Sequence, residues 1–142
     1  MIQVDSAGTT RTTPAGPVEL QVPTELDRLA VVRTVAEAVA ARENLDLDSV
    51  ADVKLAVDEA SACLISRAIL GARLDCRFRM LPHALEVVVS TTTSAPGFPN
   101  KNSFGWHVLT TLTDTVTVEH RQVAPGVYAT AIWFTKKRTG GA

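Results

Sequence analysis

Residues 46–71, DLDSVADVKLAVDEASACLISRAILG, are the most strongly patterned stretch of the chain and decide how it folds. Val50, Val53, Val57, Ala60, Leu64, Ile65 and Ala68 recur at spacings of three and four, so they share one face of a helix that must pack on something. Asp46 or Asp48 offers a carboxylate to cap its first turn, and Gly71 can adopt the left-handed conformation that stops it. Upstream, Val18, Leu20 and Val22 alternate with polar residues as in a half-buried strand, closed by Pro23. Thr24 is placed to cap a first helix, with Leu26, Leu29, Val32, Val35, Ala36 and Val39 as its stripe down to about Arg42.

Downstream the period changes. Leu74, Cys76, Phe78 and Met80 alternate with Asp75, Arg77 and Arg79, and Pro82 and His83 turn the chain into Leu85, Val87 and Val89, an antiparallel hairpin. Residues 91–102 are polar and Pro/Gly-containing, too long for a tight turn, and read as a loop with a job. Ser103 caps a short helix carrying Trp106, Leu109 and Leu112; Val116 and Val118 follow, then a Pro125-Gly126 turn and a last strand at 127–135. The order, strand, two helices, two strands, loop, helix, two strands, implies an α+β two-layer sandwich, its sheet mostly antiparallel with helices on one face. The domain spans residues 18–137. Residues 1–17, rich in Ser, Thr, Gly and Pro, and residues 138–142 read as flexible tails, the basic character beginning at Lys136.

The chain has 142 residues, 46% hydrophobic, 20% charged and 5% aromatic, and its 14 basic against 15 acidic side chains leave a net charge of −1. That suffices for one core and argues against nucleic acid or an acidic membrane as partner, because such binding needs many Lys and Arg against phosphates. The longest apolar run, 127–134, is far too short to span a bilayer, and the first 17 residues lack the pattern of a signal peptide; a cytoplasmic location is expected. Cys63 and Cys76 show no CxxC spacing, and His83, His107 and His120 fall on separate elements, so neither a disulfide framework nor a metal array is written.

Three segments narrow the fold. LAVDEASACLISRAI (55–69), SAPGF (94–98) and SFGWHVLTTLTDTV (103–116) together resemble the anti-sigma factor and serine-protein kinase family of the RsbW type, which carries the histidine-kinase-like (GHKL, or Bergerat-type) ATPase fold. The likeness is greatest to actinobacterial members that antagonise sigma-F and covers roughly residues 18–137. It implies ATP with Mg²⁺ as cofactor, a sigma-F-like subunit and a STAS-domain anti-anti-sigma protein as partners, and a homodimer.

In the family the second helix carries Glu, the base toward the attacking hydroxyl, and four residues later Asn, which helps hold magnesium. These positions are Glu59 and Cys63 here, on one helical face. A thiol is a poor ligand for a hard cation, so Cys63 reads as a small hydrophobe, and Glu59 also reads as a surface carboxylate beside Asp58. Arg67 stands at a frequently basic position. The family's adenine box, Asp-x-Gly-x-Gly, maps onto Thr93, Ser94, Ala95, Pro96 and Gly97, keeping only the last glycine. Its Gly-x-Gly-Leu box, which opens a phosphate-contacting helix, maps onto Ser103, Phe104, Gly105 and Trp106. Phe104 and Trp106 read as rings for the core or an interface, and His107 as a packed or half-exposed histidine. Thr130 matches the adenine-contacting threonine of the last strand.

The resemblance thus implies an anti-sigma factor working by partner switching, its nucleotide site degenerate. The alternative is an active ATP-dependent kinase, with Glu59 as base and Thr93, Gly97, Ser103, Gly105 and Thr130 around the nucleotide. A third reading, in which Cys63 or Cys76 senses oxidation, requires a reactive thiol.

Overall fold

The computed structural model describes residues 2–4, 10–12, 16–94 and 99–138. Two short strands, β1 (Ile2–Val4) and β2 (Thr10–Thr12), pair antiparallel as a separate ribbon inside the segment expected to be a tail. The main sheet comprises β3 (Val18–Pro23), β4 (Arg73–Met80), β5 (Ala84–Thr93), β6 (Thr115–Ala124) and β7 (Val127–Lys137), in the order β3-β4-β5-β7-β6. Every neighbouring pair is antiparallel, as the hairpin reading requires.

Helices α1 (Leu29–Arg42), α2 (Leu47–Ile65) and α3 (Phe104–Leu112) complete the α+β sandwich. From α2, Val53, Ala56, Val57, Ala60 and Leu64 are buried against Leu74, Cys76 and Phe78 of β4, Leu85, Val87 and Val89 of β5, and Ile132 and Phe134 of β7. Small residues dominate the contact surfaces of both long helices, with Ala36 and Ala40 of α1 also buried, so the helices approach closely. Two ion pairs clasp α1 to α2: Arg33 Nη2 lies 3.1 Å from Asp58 Oδ1, and Lys54 Nζ lies 3.1 Å from Glu37 Oε2. At the other side, the half-buried Lys136 Nζ donates to Asp52 Oδ2 at 2.9 Å and to the Leu112 carbonyl at 3.0 Å, joining β7 to α2 and the end of α3.

The local details differ from the sequence reading in several places. Asp46 does cap α2, its carboxylate accepting from the Ser49 amide at 2.7 Å. Thr24 does not cap α1. Glu25 is extended and leads into a 3-10 turn, Leu26–Arg28, while the Thr24 hydroxyl donates to the Ala72 carbonyl at 3.0 Å. Helix α2 ends at Ile65, before Gly71; the glycine is left-handed, φ 81°, but serves the turn into β4. Strand β5 continues to Thr93, into the segment read as loop, because its threonines can be buried with their hydroxyls bonded: Thr91 Oγ1 donates to the Arg73 carbonyl at 2.7 Å. Lys136 belongs to β7, and Arg138 is bonded rather than free, its amide donating to the His83 carbonyl at 3.0 Å and its Nε to the Glu43 carbonyl at 3.2 Å.

Candidate functional site

The site is built where the end of α2 meets the end of β5 and the start of α3. Three backbone contacts fix that corner: Ile69 N donates to Thr92 O at 3.0 Å, Ser94 N donates to Arg67 O at 3.2 Å, and Ala68 bridges Thr93. The connector after α2 therefore continues the sheet edge beside β5. Arg67 lies on this connector, exposed, just beyond the last helical residue.

Glu59 is half-buried and leans on α3. Its Oε1 occupies the space a Cβ on Gly105 would fill, so the glycine gives the carboxylate room. Two residues assigned from separate motifs are thus brought into contact. One turn along α2, Cys63 packs partly against the core. Its thiol is pushed up to about 11, first by burial and then by the Glu59 charge, with Arg67 pulling the other way. A soft sulfur four residues from one carboxylate is a poor donor set for a hard cation. The donors present do not fit Mg²⁺.

Thr93 and Thr130, assigned to the two adenine-contacting positions, meet each other. Both are buried, and their Oγ1 atoms lie 2.9 Å apart across β5 and β7. His120, on β6, reaches the same Thr130 hydroxyl with Nδ1 at 3.2 Å. A hydroxyl bond of this kind has a net worth of about 1 kcal/mol, and it uses part of the hydrogen-bonding capacity that an incoming base would draw on. His120 was missed by the sequence reading. Its only signal is its position opposite Thr130 in the β6–β7 hairpin, and a register shift between Gln122 and Ala124 spoils simple counting from the turn.

At the head of α3, Ser103 Oγ accepts from Trp106 N at 3.2 Å, so the expected cap is present. This bond occupies one of the first-turn amides that an anion would otherwise take. Trp106 is buried as expected, with Lys101 Nζ 5.8 Å from its ring centroid. Phe104 is 81% exposed and does not enter the core, and His107 is exposed too; both point from the outer side of a short helix. Ala95, Pro96, Gly97 and Phe98, including the one retained glycine of the adenine box, lie outside the described residues.

Cys76 is buried on β4 with its thiol pushed up to about 12, chiefly by desolvation; the Ser61 hydroxyl beside it pulls weakly down. Neither cysteine offers the low-pKa thiolate that oxidation sensing needs.

Three measurements test this geometry. Gly105→Ala should leave stability within about 1 kcal/mol of wild type, because Glu59 swings aside while the helix gains propensity. In a Glu59→Ala background the same change should stabilise by up to about 1 kcal/mol, read as a non-additive cycle in urea unfolding. Thiol alkylation at pH 8 should be about 100-fold slower in the folded chain than in urea, rising with pH toward 11. Stability linked to these thiols should be complete below their ordinary value of about 9 and fall as pH climbs through 11 and 12.

Comparison with known proteins agrees with this arrangement. The family model of the histidine kinase-like ATPase domain matches residues 22–136. Two curated relatives, both called anti-sigma-F factor RsbW, from Mycobacterium tuberculosis strains CDC 1551 / Oshkosh and ATCC 25618 / H37Rv, are 40% identical over 125 residues. The match covers 83% of this chain and 70% of each relative. A solved structure of the RsbU and RsbW domains of Rv1364c from Mycobacterium tuberculosis shares the fold, with a TM-score of 0.64 at 14% identity over 88% of this chain; the chain spans about a third, 33%, of that longer one. An α2 that carries Glu59 to Gly105, a hydroxyl bond between Thr93 of β5 and Thr130 of β7, and a family match over nearly the whole sandwich lead to one assignment: the chain belongs to the histidine kinase-like ATPase domain family, as a homologue of the RsbW anti-sigma-F factors.

Proposed function

We propose that this protein is a cytoplasmic anti-sigma factor that sequesters a sigma-F-like subunit and releases it when a STAS-domain anti-anti-sigma protein competes. The observation that carries the reading is the 40% identity to anti-sigma-F factors over 83% of the chain. The near-neutral charge suits a regulator that occupies another protein rather than DNA. It works as a homodimer, and its nucleotide site is degenerate. Supporting the last point, Thr93 and Thr130 satisfy each other, Ser103 uses a first-turn amide, and Cys63 stands where magnesium would need an oxygen donor. Losing several contacts of about 1 kcal/mol each weakens nucleotide binding by orders of magnitude. Sigma release then proceeds by mass action between competing partners.

The runner-up, an ATP-dependent kinase acting on the antagonist's serine, is favoured by the contact between Glu59 and Gly105, which keeps a carboxylate at the head of α3. Glu59 would be its base, with Gly97 and Thr130 beside the nucleotide.

The deciding experiment is co-elution of the purified chain with its sigma subunit, followed by addition of the antagonist. Expected are a stable complex at micromolar concentration, sigma freed by the antagonist, and no labelled phosphate on the antagonist with ATP and Mg²⁺. No complex at high micromolar concentration would refute the anti-sigma reading, whereas transferred label would establish the kinase.

A further inference from the structure

Helix α2 is covered by its neighbours on both flanks and left bare along its outer ridge. On one side α1 runs antiparallel to it, held by the pairs Arg33–Asp58 and Glu37–Lys54. On the other side α3 also runs antiparallel: its start meets Glu59 at Gly105, and the Leu112 carbonyl at its end shares Lys136 with Asp52. Val53, Val57, Ala60 and Leu64 face the sheet, so Ala51, Leu55 and Ala62 lie on the ridge that faces away from it. Leu55 is 53% exposed, and Leu47, about two turns earlier, is 88% exposed. A single exposed leucine is ordinary. Here the leucines share a ridge with alanines, which are small enough to let another helix approach to the 8–10 Å of close packing.

The charges of α2 indicate the chemistry of that other helix. Lys54 and Asp58, toward α1, are both neutralised by it. Asp48, Asp52 and Glu59, spaced four and seven apart, share the side toward α3. Asp52 is paired with Lys136, whereas among the described residues Asp48 and Glu59 make no ion pair. Helix α3 itself carries no Lys, Arg, Asp or Glu to balance them. The groove between α2 and α3 thus has an apolar ridge and one wall of net negative charge.

We infer that this groove docks a basic amphipathic helix of the sigma subunit. The helix lays apolar residues at spacings of three and four over Leu55 and its flanking alanines, and aims Lys or Arg toward Asp48 and Glu59. Charge selects sigma between the two partners named above. A subunit that contacts promoter DNA needs basic helices to meet phosphates, a need the STAS-domain antagonist does not share. Covering such a helix with the acidic side of α2 holds the subunit and hides a surface it needs for DNA.

This inference rests on the anti-sigma reading and gives it a surface. The test is calorimetric titration of the full chain with the sigma subunit, and separately with the antagonist, using variants at exposed positions whose unfolding midpoints match wild type. Leu55→Lys should weaken sigma binding about tenfold or more, since it removes the apolar anchor and sets a positive charge against a basic helix. Asp48→Lys should weaken it about threefold and flatten its salt dependence. Leu70→Lys, at an exposed leucine outside the groove, should stay within about twofold of wild type. Sigma binding unchanged in both groove variants, an equal loss in Leu70→Lys, or a loss confined to the antagonist overturns the groove assignment and leaves the anti-sigma reading in place. A wild-type chain that fails to hold sigma overturns both.

Discussion

Helix α2 must bury Ala56, Val57, Ala60 and Leu64 against the sheet, and that requirement sets the geometry of everything around it. With this face turned inward, Glu59 is carried to the flank that meets α3, where only a glycine leaves space for it. The buried alanines let the helix lie low enough for its C-terminal connector to hydrogen-bond the end of β5. That connection extends β5 to Thr93, and Thr93 then faces Thr130. Core packing on one side of α2 therefore fixes polar contacts on the other.

Those polar contacts are directed inward. In a nucleotide-binding cleft, acceptors and first-turn amides are left open for the ligand, which satisfies them on arrival. Here the hydroxyls of Thr93 and Thr130 bond each other, His120 adds a second bond to Thr130, and Ser103 takes the Trp106 amide. Burial holds the Cys63 thiol protonated, so the position opposite Glu59 supplies no hard oxygen or thiolate donor. A fold associated with phosphoryl transfer is compatible with a role in which surfaces, not a cleft, carry function. Exposed Leu47, Leu55, Leu70 and Phe104 show how much apolar surface the helical layer keeps outside its core.

Much of the sandwich was legible in the sequence, because its periods are clean. The stripe of α2 and the alternation of Leu74 to Met80 name helix, strand and buried face directly, and Asp46 and Ser103 are caps as read. What escaped depends on pairing between distant segments. Thr24 looks like a cap until Ala72, across the corner, takes its hydroxyl. Thr91 and Thr93 look like loop because polar residues are costly to bury, and only the Arg73 carbonyl and Thr130 reveal how they are satisfied. Glu59 and Gly105 were each found through a motif, but their contact is a property of helix packing that no local pattern encodes.

The proposed anti-sigma role has this homologue capturing its partner without help from nucleotide. The most direct measurement is sigma affinity by fluorescence anisotropy, with and without saturating ATP and Mg²⁺. Coupling between two ligands shows as a ratio of the two affinities. Dissociation constants equal within about twofold are expected; a tightening of about tenfold or more on adding ATP with Mg²⁺ would contradict the proposed role.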